Sequence, residues 1–330
     1  MIAQTTPTGQ AVAQVIEQGY ALGDIKNCVL LLHGFNHTYD LRFVDGRRAI
    51  ARLSDDRPRG QSNSEFEAAF LHHLKSEKIV VADSIPTRDG SAAFQMTFPE
   101  GQRSLMLFEY LDGEPPGGSL PDIEATGRGL ALLHEAGMTY NGPKSRYVLE
   151  LPFLLDASIE RICAAQTADD VIRAKFMDIG QRLAARITSI PNLTQVYCHG
   201  DCHGGNNFIN QDKDGTRVAS FFDFDDAGPG WLSYELCVYF WNMLSRKVGG
   251  ELSPTSLERW RHFLKGYRAV RELGSDDFEA IAAFVSVRQL WLMGEYAGRI
   301  PVWGTQSIST GYLYDQAEVL SYWASLKTPS

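Results

Sequence analysis

Carboxylate and amide side chains follow two neighbouring apolar runs near the middle of the chain. Asp201 and Asn206 lie five residues apart in the segment CHGDCHGGNN, and Asp223 follows the apolar run 218–222, seventeen residues after Asn206. Phosphoryl transfer uses this combination of groups. One carboxylate orients or deprotonates an attacking hydroxyl, while an amide and a second carboxylate hold Mg²⁺ against nucleotide phosphates. The residue types and their order therefore indicate phosphoryl-transfer chemistry.

Short strands must position these groups. The apolar runs 196–197, 207–209 and 218–222 predict three strands, with the loop 199–206 projecting from a strand end and Asp223 placed where a neighbouring strand stops. Because rigid strand ends fix side chains better than free loops do, we expect the polar groups to face one cleft.

A family resemblance rests on this motif pair. The sequence HGDCHGGN followed by FDFDDA resembles the aminoglycoside phosphotransferase and choline/homoserine kinase superfamily, and within it the bacterial stress response kinases of the RdoA type. The resemblance implies an α+β, two-lobed protein-kinase-like fold. A small antiparallel-sheet lobe at residues 1–112 would clamp the nucleotide, and a mostly helical lobe at 113–330 would carry the catalytic loop and the metal site.

The resemblance also assigns roles within the motif. It implies an ATP-dependent kinase with Asp201 as the catalytic base and with Asn206, Asp223 and Asp225 as Mg²⁺ ligands. ATP and Mg²⁺ are therefore the expected cofactors. His199 is expected to organise the loop backbone rather than to carry a proton.

The N-terminal third should supply the nucleotide-binding half. Residues 28–32 and 39–43 read as two strands joined by a turn at 33–38, a hairpin over the phosphates with Gly34, Phe35 and Asn36 as candidate contacts. The turn matches neither GxGxxG nor the Walker pattern, so an ordinary hairpin turn is the alternative.

An arginine stands where the related kinases carry a lysine. Arg52 lies in the predicted third strand, 47–53, and would contact the α/β-phosphates. Its candidate partner is Glu67 on the predicted helix 62–78, with Glu65 second. A solvent-facing arginine and a first-turn carboxylate favoured by the helix dipole are the alternatives.

Three further strands, at 79–85, 92–98 and 104–110, would complete the small sheet. The segment Phe108-Glu109-Tyr110-Leu111 would be the hinge, with the Glu109 carbonyl and Leu111 amide bonding adenine and Phe108 backing the ring. The run EPPGG at 114–118 breaks regular structure. The remaining chain predicts helices at 122–136, 152–165, 168–190, 232–247, 254–273, 276–298 and 308–327.

Composition narrows the function classes. The formal net charge of −9, without a basic run, argues against nucleic-acid binding. No apolar stretch approaches the length of a membrane span, and the first residues lack signal-peptide features. We expect a cytoplasmic protein, a monomer or homodimer. Of its five cysteines, Cys28, Cys163 and Cys237 are expected to be reduced core thiols, and a redox role is the alternative for Cys198 and Cys202, which flank Asp201.

The acceptor is predicted to be a small-molecule hydroxyl compound: an amino alcohol, a hydroxy amino acid or an aminoglycoside-like molecule. Candidate wall segments are 140–160 and 288–303, and a cationic acceptor would need carboxylates such as Glu235 or Glu295. Three alternatives remain open. They are a stress-type Ser/Thr protein kinase using the same site, a nucleotide-binding relative without catalysis, and a metal-dependent hydrolase built on His199, Asp201 and His203.

Overall fold

The computed structural model describes residues 2–55, 57–250 and 252–330. The chain divides into two units. One comprises the chain up to Asp112 together with Tyr140–Lys144, and the other comprises Gly113–Thr139 and Ser145–Ser330. The units differ from the sequence-based division at Tyr140–Lys144, where the Tyr140 ring packs edge-on against Phe70 with centroids 5.2 Å apart.

The first unit is an antiparallel sheet with two helices. Its elements are α1 (Gly9–Gly19), β1 (Ile25–His33), β2 (Asn36–Phe43), β3 (Arg48–Ser54), α2 (Ser64–Ser76), β4 (Ser84–Ile85), β5 (Phe94–Phe98) and β6 (Gly101–Glu109). The strand order is β1-β2-β3-β6-β4, and β5 pairs with β6. The antiparallel sheet predicted for the N-terminal part is confirmed.

Helix α1 closes the core of this unit and is not predicted by the sequence analysis. Val12 and Ile16 lie one helical turn apart and are buried, with Tyr20 just beyond the helix. They pack in one cluster with buried residues of β2, β3 and β6. The Thr8 side chain caps the helix by accepting a bond from the Ala11 amide.

Two strand predictions in this unit are wrong in extent. The β1–β2 turn is shorter than 33–38, because His33 already pairs with His37 across the hairpin. Residues 79–85 do not form one strand; β4 covers only Ser84–Ile85 and pairs with Phe108 and Leu107. Before β4, Val81 and Ala82 are buried, and Val81 makes a β-bridge without extending the strand.

The second unit is mainly helical. Its helices are α3 (Leu120–Gly137), α4 (Ala157–Ala164), α5 (Asp170–Thr188), α6 (Leu232–Met243), α7 (Pro254–Arg268), α8 (Ser275–Gly298), α9 (Ile300–Trp303) and α10 (Thr310–Trp323). Its strands are β7 (Gln195–Cys198), β8 (Asn207–Gln211), β9 (Arg217–Phe221) and β10 (Gly228–Trp231). The α+β class, with strands early and around the central motif and helices after them, is confirmed.

The strands of the central motif form separate hairpin-like pairs. β8 pairs with β9, whereas β7 pairs with β10, a strand that the sequence analysis did not predict. The predicted helix 152–165 begins instead as a π-helical turn at Pro152–Asp156, and α4 follows it.

Two glycines bring α3 and α7 into backbone contact. A Cβ atom at Gly127 would lie 2.0 Å from the Phe263 carbonyl oxygen, and one at Gly266 would lie 1.9 Å from the Glu124 carbonyl oxygen. Only glycine permits this approach.

Helix α8 is buried on nearly all sides over Ala280–Trp291. Across the described residues, no helix carries an apolar stretch long enough to span a bilayer.

Candidate active site

The loop that follows β7 is anchored through His199. The buried His199 ring donates from Nε2 to the Phe222 carbonyl at 2.9 Å and accepts at Nδ1 from the Asp201 amide at 3.3 Å. Burial lowers the pKa of His199 to about 4, so the ring is neutral and its tautomer is set by these two partners. His199 therefore has the structural role expected from the resemblance.

Gly200 lets this loop cross the acidic turn closely. Its φ is +85°, and a Cβ atom there would lie 2.2 Å from the Asp226 carbonyl oxygen. Any other residue would be strained in conformation and would clash with backbone. The crossing brings Asp201 to the turn that contains Asp223 and Asp225.

Both carboxylate oxygens of Asp201 are held by side chains. Oδ1 accepts from Nη2 of Arg288 on α8, and Oδ2 accepts from Nδ2 of Asn206 at 3.1 Å. Nε2 of His203 lies 3.7 Å from Oδ2, and the Asp201 side chain remains 22% exposed. The carboxylate is thus fixed in direction yet reachable from solvent.

Asn206 and Asp223 lie at the same end of the β8–β9 hairpin. Asn207 pairs with Phe221, and the Phe222 amide donates to the Asn206 carbonyl at 3.1 Å. Asp223 then adopts a left-handed conformation, φ 66° and ψ 60°, which turns the chain into the 3₁₀ segment Phe224–Asp226. Aspartate tolerates this region better than most residues.

The oxygen donors at this hairpin end suit a hard divalent cation. Asn206 uses its amide nitrogen for the main-chain and side-chain oxygens of Asp201, at 3.0 and 3.1 Å, so Oδ1 is the atom that it could offer to a metal. Asp223 is exposed and Asp225 is buried in the turn. Amide and carboxylate oxygens are the ligands that Mg²⁺ prefers.

The alternative hydrolase site does not fit this geometry. Both ring nitrogens of His199 are bonded to main chain, so neither is available to a metal. Among residues 2–55, 57–250 and 252–330, no three His, Cys, Asp or Glu side chains cluster as metal ligands.

The two cysteines that flank Asp201 in sequence are not suited to redox chemistry. Cys198 and Cys202 are fully buried, and burial raises the pKa of both thiols, which opposes formation of the reactive thiolate.

Helix α6 supports the loop from behind with residues of one face. Glu235 accepts from the Gly200 amide at 2.9 Å, and Asn242 donates to the His203 carbonyl at 3.0 Å. Between them in sequence, Tyr239 packs beneath Gly204, where a Cβ atom would lie 3.2 Å from the ring. Positions i, i+4 and i+7 share one helix face, so a single rigid helix sets the path of the loop.

Glu235 is an inaccessible carboxyl. Burial raises its pKa to about 7, against the lowering effects of the Gly200 amide and the Cys198 thiol. Between the ordinary pKa of 4.5 and about 7, the unfolded chain binds fewer protons at this group than the folded chain does. Stability from this residue therefore falls as the pH rises through that window and is constant above it.

We expect Glu235→Gln to remove this pH dependence, because the amide keeps an acceptor for Gly200 and never ionises. Wild type should lose up to about 3 kcal/mol in unfolding free energy between about pH 5 and about pH 7.5 through this group, and the variant should not. The unfolding free energy of the variant minus that of wild type should therefore rise by this amount. Urea unfolding at both pH values measures this. The exposed Glu258→Gln is the control, and equal pH dependence in all three proteins contradicts the prediction.

Arg288 and Glu235 contact the loop but were not predicted as site residues. The sequence analysis placed both only near the acceptor. Arg288 interrupts the run AAFVSVRQLWLM, and a buried arginine is costly unless it is paired. That interruption was the signal available in the sequence.

In the first unit, Arg52 and Glu67 form a buried ion pair. Nη1 of Arg52 donates to Glu67 Oε1 at 2.8 Å and Nη2 donates to Oε2, a bidentate contact. Their side chains are 5% and 1% exposed. The predicted pairing is confirmed, and Glu65 is not the partner in it; a role in nucleotide binding stays a prediction.

The other candidate nucleotide contacts lie around this pair and on the hairpin. The Arg52 guanidinium lies 4.9 Å from the centroid of Phe108. Glu109 ends β6 exposed, and Leu111 follows it half-buried outside the strand. Gly34 and Phe35 form the β1–β2 turn, and Asn36 begins β2.

Two carboxylates suggested for a cationic acceptor are closed off. Glu295 is fully buried, and its Oε1 lies 3.5 Å from Nη2 of Arg161. Glu235 is also fully buried, against the Gly200 amide. Trp291 is buried, whereas Tyr296 and Trp303 are half-buried with ring centroids 5.6 Å apart.

Known proteins are similar over most of the chain. The phosphotransferase enzyme family (APH) matches residues 28–273. An uncharacterised protein of Deinococcus radiodurans is 31% identical over 315 residues, covering 95% of this chain and 89% of that protein. Amicoumacin kinase of Bacillus subtilis is 24% identical over 271 residues, covering 78% of this chain and 76% of the kinase.

Solved structures share the fold. A microcompartment-associated aminopropanol kinase superposes with a TM-score of 0.71 at 21% identity, covering 96% of this chain and 95% of that one. Amicoumacin kinase hAmiN, in complex with AMP-PNP, Ca²⁺ and Ami, superposes with a TM-score of 0.74 at 18% identity, covering 96% and 92%. With the family match extending across both units, the chain belongs to the phosphotransferase enzyme family.

Proposed function

We propose that this phosphotransferase moves the γ-phosphoryl group of MgATP to a hydroxyl of a small molecule, with Asp201 as the base. One observation carries the proposal. The Asp201 carboxylate is fixed at one oxygen by Arg288 and at the other by Asn206, and its side chain is still 22% exposed. A directed, reachable carboxylate is what alignment of an acceptor hydroxyl needs.

Residues beside Asp201 would hold the metal. Oδ1 of Asn206, the Asp223 carboxylate and the Asp225 carboxylate are the proposed ligands, since all lie at one end of the β8–β9 hairpin or in the turn that follows it. Bound there, Mg²⁺ would neutralise charge on the nucleotide phosphates. The use of AMP-PNP and Ca²⁺ in the hAmiN complex supports a nucleotide and a divalent cation.

Residues of the first unit would bind the nucleotide. Arg52 would contact the α/β-phosphates while Glu67 fixes its direction through the bidentate pair. Gly34 supports a phosphate-covering turn, because a Cβ atom there would meet only ordinary contacts, at 3.9 Å. The fold therefore does not require glycine at this position, whereas close approach of a phosphate would favour it.

Asp201 would act mainly by orientation. It would accept the hydrogen bond of the acceptor hydroxyl and take its proton as the acceptor oxygen bonds to the γ-phosphorus. The bond from the γ-phosphorus to the bridging oxygen would break in the same step, so that ADP leaves and no phosphoenzyme forms. Loose transition states in phosphoryl transfer make positioning and charge stabilisation larger contributions than base strength. His199 takes no proton in this scheme, because both ring nitrogens are engaged by main chain.

The proposal leaves the chemical class of the acceptor to be determined. The names of the similar kinases, for aminopropanol and amicoumacin, favour a hydroxylated amine. Buried Glu235 and Glu295 do not offer the carboxylates first suggested for such an amine. Recognition of a cation would have to use other groups, so acidic acceptors belong in the same test.

The test is ADP release from MgATP across a panel of amino alcohols, hydroxy amino acids, hydroxy acids, aminoglycosides and a generic protein substrate. Samples with EDTA in place of magnesium are the control. We expect magnesium-dependent ADP release with one small-molecule class, and a phosphorylated hydroxyl in the product by mass spectrometry. Transfer to protein alone would favour the stress-type protein kinase, and no MgATP binding or turnover with any acceptor contradicts the proposal.

A further inference from the structure

A buried arginine on α8 reaches the carboxylate proposed as the base. Arg288 is separated from Asp201 by 87 residues in sequence, and its Nη2 donates to Asp201 Oδ1. The Arg288 side chain is 3% exposed, against 22% for Asp201. The pair therefore connects the helical core of the second unit to the reachable edge of the catalytic loop.

Aromatic rings hold the Arg288 guanidinium in place. Its Cζ lies 5.2 Å from the centroid of Trp241 on α6 and 4.5 Å from that of Trp291 on α8. Trp241 is fixed in turn by a bond from its Nε1 to Gln289 Oε1 at 2.9 Å. Cation–π contacts with indole are favourable when the cation is shielded from water. The rings of Trp241 and Trp291 therefore hold the guanidinium in position and favour its charged form.

The guanidinium stays charged beside the rings of Trp241 and Trp291. Burial by itself lowers the pKa of Arg288, but the negative charge of Asp201 and the Tyr234 hydroxyl outweigh it and raise the pKa. The guanidinium is therefore placed by the Asp201 carboxylate, which accepts from Nη2, together with the neighbouring Tyr234 hydroxyl.

The carboxylate is consequently held at two points by two different elements. Arg288 fixes Oδ1 from α8, and Asn206 fixes Oδ2 from the start of the β8–β9 hairpin. With the bond from Asn206 alone, the Asp201 side chain could still rotate about its side-chain torsion angles and change the direction of its second oxygen. A displacement of about 1 Å of a reacting group is enough to reduce turnover about 100-fold.

We propose that Arg288 is a positioning residue, which holds Asp201 in the direction required by the acceptor hydroxyl. This inference rests on the proposed function and adds a residue to it. It predicts loss of turnover without loss of nucleotide binding, because Arg288 contacts the base and not the groups proposed to bind the nucleotide.

The experiment compares Arg288→Met with Arg246→Met. Arg246 also lies over Trp241, 4.2 Å from the ring centroid, and donates to main-chain carbonyls rather than to Asp201. We expect Arg288→Met to lower kcat for ADP release about 100-fold, with KM for MgATP within about twofold. Arg246→Met should keep the wild-type kcat. Arg288→Lys should retain more turnover than Arg288→Met, because it keeps the charge with a different donor geometry.

Chemical rescue adds a measurement that a general structural role would not affect. Arg288→Ala should regain turnover when guanidinium is added at non-denaturing concentration, whereas Asp201→Asn should not. Wild-type kcat in Arg288→Met, or no rescue of a folded Arg288→Ala, overturns the inference. If Arg288→Met does not fold, two results together overturn the inference: wild-type turnover in Arg288→Lys, and no rescue of Arg288→Ala by added guanidinium.

Failure of the proposed function gives a different result. If wild-type protein releases no ADP with any acceptor, crystal structures of wild type and Arg288→Met decide the positioning role directly. A displaced or disordered Asp201 side chain in the variant supports it. An Asp201 carboxylate in the same place in both structures overturns it.

Discussion

Asp201→Asn is expected to lower turnover by about 10³-fold while MgATP affinity stays close to wild type. The amide matches the carboxylate in shape and can still accept from Asn206, but it cannot take the hydroxyl proton and does not carry the charge that pairs with Arg288. Nucleotide affinity should persist because the proposed phosphate and metal contacts are other residues. Steady-state ADP release and nucleotide titration by tryptophan fluorescence measure the two effects.

Stability must be followed in the same variant. Arg288 is 3% exposed, so removing its anionic partner leaves a buried charge without compensation and should lower the unfolding temperature. Asp178→Asn is the matched control, because Asp178 is 65% exposed and its ion pair, with Arg182 on α5, lies at the surface. Wild-type turnover in a folded Asp201→Asn protein would remove Asp201 from the mechanism.

Breaking the Arg52–Glu67 pair is expected to have the largest effect on stability. Arg52→Met or Glu67→Met alone should each cost about 3–5 kcal/mol in unfolding free energy, because each removes the bidentate partner of a buried charge. The side chains are 5% and 1% exposed, so water cannot replace the lost partner. The double variant should recover most of this loss, since two apolar side chains replace two charges. Urea unfolding measures all three.

The double variant also separates folding from nucleotide binding. If Arg52 contacts phosphates, stability returns in the double variant but MgATP affinity does not. Recovery of both would make the pair purely structural. Lys75→Met is the control for a surface pair: Lys75 is 46% exposed and lies 2.6 Å from Glu109, so its loss should cost no more than about 1 kcal/mol.

The motif proposed to be catalytic could be recognised in the sequence because its members are close along the chain. Asp201, Asn206 and Asp223 are joined by short strands, and the β8–β9 pairing necessarily brings Asn206 near the residues that follow Phe221. The Arg52–Glu67 pair was predicted through the resemblance to kinases that pair a strand lysine with a helix glutamate, and the structure selects Glu67 over Glu65.

Only the tertiary structure decided which distant residues meet the loop. Helix α8 is apolar almost all round, so its periodicity defines no single buried face and does not show that Arg288 points at Asp201. The two-residue strand β4 and strand β10 depend on pairing partners rather than on their own composition. The sequence by itself determined which polar groups of the motif come together, because chain connectivity places them at one hairpin end. Packing of α6 and α8 against the loop determined its support, because contacts between separate helices depend on their relative orientation, which no local pattern encodes.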